Sequence, residues 1–430
     1  MNDFLEFIFL TNSNVRNVVI GIVLICCSAA IVGCFTFLRK RALLGDAVAH
    51  ATLPGVCMGF LLSGSKNPYF ILIGAFATGL LSIYAVDYIT RHSKIKADTS
   101  LALVLTSFFG VGILLLTAIQ HSGNAAQGGL DGFLFGKVAA LMSNDLWVFG
   151  ITSIVVIIVA FVFFKEFLLI SFDPTFAKSI GMPVVAIEFL LTTITVLAVV
   201  IGIQAVGVIL MAAMLITPAA TARFWTDKLK SMIAIAILFS VVSGIGGAYI
   251  SYTTPTIPTG PCIVMLMSSI ALISFLAAPR KGLLAKLKLQ HDNRIRILEE
   301  NILKALFQMG ENTQNYEAYI SKLDISEKRI FNKGQLKNGL KRLQRKGYLI
   351  QKNQEWKLTT QGKNKGQRIT RLHRLWEMYL TTYLQLSPDH VHDDAETIEH
   401  IITPEIEEKL TEILGYPTVD PHQMKIPYSD

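Results

Sequence analysis

Two sets of side chains in this sequence have the types and spacing of metal ligands. The first is Asp46 and His50, four residues apart in an otherwise apolar stretch. On a helix that spacing puts a carboxylate and an imidazole on one face, about one turn apart. They offer an oxygen and a nitrogen donor to a divalent transition ion, a mixture that suits manganese, iron or zinc better than calcium or potassium. The same spacing also serves a buried Asp–His hydrogen bond that locks two helices. The second set lies toward the other end of the chain. Glu396, Glu399 and His400 stand at i, i+3 and i+4, with His392 one turn earlier, and His373 and Glu377 form a further i, i+4 pair. Two facing helices carrying these His and Glu side chains can build an octahedral or nearly octahedral N/O site.

The two sets sit in different solvents, because the chain changes character near Arg280. It is 52% hydrophobic and 16% charged, too apolar for a soluble protein of this length. Residues 1–290 hold 18 Lys/Arg and 11 Asp/Glu, against 21 and 20 in residues 291–430. Apolar stretches long enough to cross a bilayer, or nearly so, run at about 17–38, 47–63, 69–90, 99–119, 145–164, 185–205, 207–222, 231–250 and 258–279. Two are short and contain proline, around Leu53-Pro54-Gly55 and Thr217-Pro218-Ala219. Broken helices are tolerated at membrane depth only where protein or a watery cavity covers the freed backbone, so these two are expected to line a path. The fold expected is an all-α polytopic membrane bundle of about nine spans over residues 1–280. A linker at 281–293 leads to a cytosolic part, an α(+β) winged helix at 294–370 and a helical metal-binding and dimerisation domain at 371–430.

Basic residues cluster after the first, third, fifth, seventh and ninth stretches, for example Arg39-Lys40-Arg41 and Arg223, Lys228 and Lys230. With nine spans all of these clusters are cytoplasmic, so the N-terminus is expected outside and the tail inside. Residues 1–16 lack the basic start and cleavage site of a signal peptide, so the first span is expected to be retained. Asp87 and Glu188 fall near predicted cytoplasmic ends, where solvated or salt-bridged roles are expected. Met211, Met214, Met265 and Met267 read as packing, and the five cysteines, with no CxxC pattern, as small core or lipid-facing residues.

The tail divides by charge. Lys328 to Arg374 contain 15 Lys/Arg and one acidic residue, whereas Leu375 to Asp430 contain 2 basic and 12 acidic residues. Leu336, Leu340 and Leu343 recur at helical spacing, and the other face shows Gln335, Lys337, Asn338, Lys341, Arg342 and Arg345. Gly347 then ends the helix, and Tyr348–Ile350 and Trp356–Thr359 read as two strands of a wing. A helix with an apolar spine and a cationic front fits the major groove of double-stranded DNA, Gln335 and Asn338 reaching bases and Lys/Arg holding phosphates. A patch against the anionic inner leaflet and a solvated protein–protein module are the other readings.

Three motifs carry a specific resemblance. Leu44-Gly-Asp46-Ala-Val-Ala-His50-Ala-Thr-Leu-Pro54-Gly55, then Phe172-Asp173-Pro174-Thr-Phe176-Ala177-Lys-Ser-Ile-Gly181-Met-Pro183, then Gly207 through Pro218-Ala219-Ala220-Thr221 resemble the permease subunits of manganese/zinc/iron-type ABC importers, in family order. The resemblance covers about residues 15–280. It implies a homodimeric or pseudo-dimeric pore in the bacterial inner membrane, an ATP-binding cassette ATPase subunit on the cytoplasmic side, and an extracytoplasmic metal-binding protein. Phe172, Asp173, Pro174, Ala177 and Gly181 would belong to the loop that engages the ATPase, and Asp46 and His50 match the family's metal-binding positions. The chain has no Gly-x4-Gly-Lys-Ser/Thr phosphate loop, so ATP hydrolysis is expected from another polypeptide and no enzymatic activity from this one.

The tail, through Arg371–Glu377 and the run His392–His400, resembles the diphtheria-toxin-repressor-type regulators. A Glu at 396, where iron-selective members carry Cys, resembles the manganese-responsive branch, so Mn(II) is the expected ligand with Fe(II) second. Asn301 and Lys304 depart from that pattern, standing where the family has ligands, with Glu300 or a carbonyl as stand-ins. No SH3-like extension is expected after Pro427. Two roles for the tail follow: a metal-responsive repressor binding operator DNA, or a membrane-tethered metal-sensing gate that throttles the permease. A secondary transporter is the further reading of the membrane half.

Overall fold

The computed structural model describes residues 7, 12–41, 43–65, 67–121, 143–254, 257–386, 400 and 402–428. The chain divides into two compact units, Met1–Lys286 and Leu287–Asp430.

The first unit is helical throughout its described residues. Helix α1 (Ser13–Leu38) is apolar all round, with Asn12 capping its start by accepting from the Asn14 N–H at 3.0 Å. It is followed by α2 (Leu44–Ala51), α3 (Leu53–Ser63), α4 (Pro68–His92), α5 (Ala97–His121) and α6 (Ser143–Val162). Next come α7 (Phe164–Phe172), α8 (Pro174–Ser179), α9 (Val184–Val206), α10 (Val208–Trp225), α11 (Leu229–Thr253) and α12 (Thr259–Ala277). Helix α1 packs against α6, α9, α10 and α11. Small buried residues, Ser28, Ala29, Ala30 and Gly33, permit that crowding: a Cβ at Gly33 would stand 1.9 Å from the Leu215 carbonyl oxygen. Gly55 of α3 and Gly74 of α4 make a second close crossing, where a Cβ on either would come within 2.1–2.2 Å of the other's carbonyl oxygen.

Among the described residues seven helices are long and apolar enough to cross a membrane, counting α2 and α3 as the one span Leu44–Ser63. An eighth results if Leu146–Val162 and Phe164–Phe172, bent by 68°, form one span. The stretch expected over 207–222 is α10, which stands outside that count. Proline acts differently at its two expected breaks. Pro54 sits in the first turn of α3, where its missing N–H costs nothing. Pro218 lies inside α10, and the discontinuity falls earlier, at Gly207, whose φ of 94° separates α9 from α10.

The second unit opens with α13 (Leu283–Thr313), which starts just before the division, so the stretch expected as a linker is helical from Leu283 onward. Then follow α14 (Lys322–Lys328), α15 (Lys333–Arg345), β1 (Leu349–Lys352), β2 (Glu355–Leu358), α16 (Thr360–Tyr383) and α17 (Pro404–Ile413). Ser321 and Asp324 form a reciprocal capping box at α14. Gly347, at φ 77°, ends α15, and the Tyr348 N–H closes back on the Leu343 carbonyl at 3.0 Å. β1 and β2 pair antiparallel, with Leu349 opposite Leu358 and Lys352 opposite Glu355. Asn353 and Gln354 both have positive φ, the conformation a tight two-residue hairpin requires. Ile302, Leu306, Phe307, Leu336, Leu340, Leu343 and Trp356 form the core beneath this hairpin.

Candidate metal centres and nucleic-acid face

Helix α2 is short and surrounded by α4, α5, α9 and α10. It carries Asp46 and His50 with His50 Nε2 3.6 Å from Asp46 Oδ1, too long for a good hydrogen bond. Both groups belong to one helix, so the pair is not the interhelical lock that the spacing also allowed. The His50 ring meets Phe109 edge-on, centroids 4.9 Å apart, and its Nδ1 has no hydrogen-bond partner among the described residues. A carboxylate and an imidazole are thus held side by side without being consumed by each other.

Two other ionisable groups of this unit are paired. Glu188 accepts from Arg39, and Asp87 lies 3.9 Å from Arg41, in line with a salt-bridged role. The segment expected to engage a partner forms the bend from α7 into α8. Asp173 caps α8 by accepting from the Phe176 N–H at 2.8 Å, Pro174 opens the helix, Ala177 is buried, and Gly181 closes the segment at φ 82°. This leaves Phe172, Phe176 and Ile180 more than half exposed.

In the tail, α15 turns Leu336, Leu340 and Leu343 into the core and leaves Gln335, Lys337, Asn338, Lys341 and Arg345 exposed, with Arg342 half-buried. Gln335, Asn338 and Arg342 line a groove of about 550 Å³ together with His291, Arg294 and Arg329. The last three leave no local signal in the sequence, because two of them stand on a different helix, some 40 residues upstream.

The donors of the acidic half come from several elements. His373 and Glu377 lie on α16, with Nε2 3.0 Å from Oε1 and both side chains 3% exposed. His400 Nδ1 stands 2.7 Å from Oε2 of Glu300 on α13, and Lys365 Nζ stands 3.2 Å from the other Glu300 oxygen. Burial pushes the Glu300 carboxyl up, but the His400 hydrogen bond and the Lys365 charge outweigh it and hold it below the usual glutamate value. Of the two stand-ins weighed for the first-helix ligand, Glu300 is thus the one found beside His400. Asn301 Oδ1 is buried with no hydrogen-bond partner among the described residues. His392, Glu396 and Glu399 lie outside the described residues.

These donors are nitrogen and oxygen, which suits a divalent ion such as Mn(II) or Fe(II). Among the described residues, however, no three His, Cys, Asp or Glu converge on one point. Lys304, an ammonium that cannot ligate, is 2% exposed in the same cavity as His373 and Glu377. The donor chemistry fits a metal, and the cation already inside the cavity does not.

Comparison with known proteins follows this division. The family described as "ABC 3 transport family" matches residues 11–278, and "Iron dependent repressor, metal binding and dimerisation domain" matches residues 359–428. The manganese transport system membrane protein MntC of Bacillus subtilis is 40% identical over 379 residues, 88% of this chain and 86% of that protein. The zinc transport system membrane protein TroC of Treponema pallidum is 40% identical over 285 residues, 66% of this chain and 95% of that protein. Among solved structures, PsaBC from Streptococcus pneumoniae in complex with Fab is 36% identical with a TM-score of 0.59, covering 66% of this chain and 99% of that one.

Proposed function

Because the chain belongs to the ABC 3 transport family and joins it to an iron-dependent-repressor-type domain, we propose that it is the permease subunit of an ATP-driven Mn(II) importer carrying its own metal-responsive regulator. Iron and zinc are the alternative cargoes, since an Asp-plus-His pair serves all three. The observation that carries the reading is the Asp46–His50 pair on α2, two donors 3.6 Å apart among four apolar helices. Ionisable groups placed there are expensive and mark an ion path. In this reading the ion is delivered from outside, is held transiently by Asp46 and His50 from one or both protomers of a dimer, and is released inward when a partner ATPase changes state.

The bared Phe172, Phe176 and Ile180 of the α7–α8 bend offer the ATPase an apolar foothold. A nine-span topology with the N-terminus outside and the tail in the cytoplasm places that bend and the basic clusters on the ATPase side. The tail is read as a DNA-binding regulator, because α15 presents a polar, cationic row above a buried leucine spine and is followed by a two-stranded wing. Its metal would be held by His373, Glu377 and His400 together with His392, Glu396 and Glu399.

Reconstitution in lipid vesicles with the ATPase partner tests the transport reading. Mn(II) uptake is expected only with ATP present, and uptake that persists without the ATPase refutes it in favour of a secondary transporter. For the tail, a salt-sensitive, metal-dependent DNA shift by the full chain supports the regulator. Metal-dependent inhibition of transport with no DNA shift supports a gate instead.

A further inference from the structure

Helix α8 is joined to α9 by four residues, 180–183. Backbone bonds stiffen that joint: the Gly181 N–H donates to the Lys178 carbonyl and the Met182 N–H to the Ala177 carbonyl, each at 3.1 Å. A shift of α8 therefore passes to the start of α9, where Glu188 stands one turn in. Glu188 accepts from Arg39 at the end of α1, across 149 residues of sequence. The connection from there to α2 is short and bonded at both ends. The Arg41 N–H donates to the Thr36 carbonyl of α1, and the Arg41 carbonyl accepts from the Leu44 N–H that opens α2, both at 3.1 Å. Asp46 follows two residues later.

Two other contacts reach the same place. Arg41 lies 3.9 Å from Asp87 of α4, but these side chains are 41% and 42% exposed, so water screens them. The Arg39 and Glu188 side chains are 11% and 30% exposed, and a charge so placed is strongly held to its partner. Helix α9 also packs directly against α2, with Val196 and Val48 both lying against Gly79 of α4. Apolar contact has no preferred direction, whereas a charge-assisted hydrogen bond holds its partners at one geometry.

We propose that the Arg39–Glu188 ion pair couples the ATPase-facing helix to the metal donors. Glu188 is a positioning residue: when α8 moves, it moves the connection before α2, and with it Asp46 and His50. This rests on the reading of the chain as an ATP-driven permease and adds the route by which the partner's state reaches the ion.

The test is Mn(II) transported per ATP hydrolysed, in lipid vesicles holding the full chain and its ATPase partner. Glu188→Gln keeps the side-chain size and removes the charge. It is expected to leave ATP hydrolysis running while Mn(II) per ATP falls roughly tenfold. Hydrolysis and uptake that fall together at an unchanged ratio, or that do not fall, overturn the link and leave the transport reading standing. A wild-type chain without ATP-driven uptake overturns both. An exchange arm covers loss of folding: Arg39→Glu and Glu188→Arg each set like charges side by side and are expected to lose coupling or assembly. The double exchange is expected to recover assembly and Mn(II) per ATP together, and a double variant that recovers neither, or assembles without regaining the ratio, overturns the link.

Discussion

Replacing Gly55 by alanine probes the helix crossing that holds Asp46 and His50 in place. A Cβ at Gly55 would stand 2.1 Å from the Gly74 carbonyl oxygen and 2.3 Å from Thr78 Oγ1. A carbon and a carbonyl oxygen tolerate about 3.3 Å, so α3 and α4 must separate by roughly 1 Å. Overpacking of that kind costs about 1–3 kcal/mol. Helix α3 follows α2 with only Thr52 between them, so the displacement passes directly to the donor pair. A misplacement of about 1 Å in a positioned group can cost on the order of a hundredfold in rate. Gly55→Ala is therefore expected to reach the membrane with modestly lowered thermal stability while Mn(II) uptake falls far more. Gly110→Ala is the matched control, since a Cβ there meets nothing within 4 Å. Uptake by Gly55→Ala at the level of Gly110→Ala would refute the close crossing and its positioning role.

Arg374→Met strands Glu311 and Asp420 without their guanidinium. It is expected to destabilise the tail by about 3–5 kcal/mol, read as a lowered thermal transition of the tail with that of the membrane unit unchanged. Lys337→Ala and Lys341→Ala, both on the exposed face of α15, are each expected to weaken DNA binding evenly across sequences and to reduce the salt slope by about one. A slope unchanged by both would remove α15 from the interface. Phe176→Asp on the bared face of α8 is expected to abolish ATPase stimulation in reconstituted vesicles while the chain still folds, because a charge replaces an apolar side chain on the proposed docking surface. Normal stimulation would locate the docking elsewhere.

Helix-scale features were legible in the sequence because they are written locally. The Asp46–His50 spacing, the Leu336–Leu343 spine, the stop at Gly347 and the hairpin after it each depend on a few neighbouring residues, and each is found where expected. Asp87 and Glu188, expected to be solvated or salt-bridged, do lie beside arginines, although those partners, Arg41 and Arg39, could not be told from spacing. Pairings across long separations stayed hidden. His400 meets Glu300 a hundred residues away, and Arg374 meets Glu311 across 63, so neither leaves a periodic trace. The burial of Lys304 was equally invisible, since a lysine on an amphipathic helix ordinarily faces water. The break at Gly207 rather than Pro218 shows that the proline marked the right stretch but not the hinge, because a single proline inside a membrane helix can be covered by its neighbours.

Asp46 and His50 are proposed to hold the transported ion. The most direct measurement is uptake of radioactive manganese into vesicles containing the chain and its ATPase, comparing the wild type with Asp46→Asn and His50→Gln at matched insertion. Both substitutions keep side-chain size and remove donor strength, so uptake is predicted to fall to the level of vesicles without ATP while the protein remains folded. Wild-type uptake in either variant would contradict the claim.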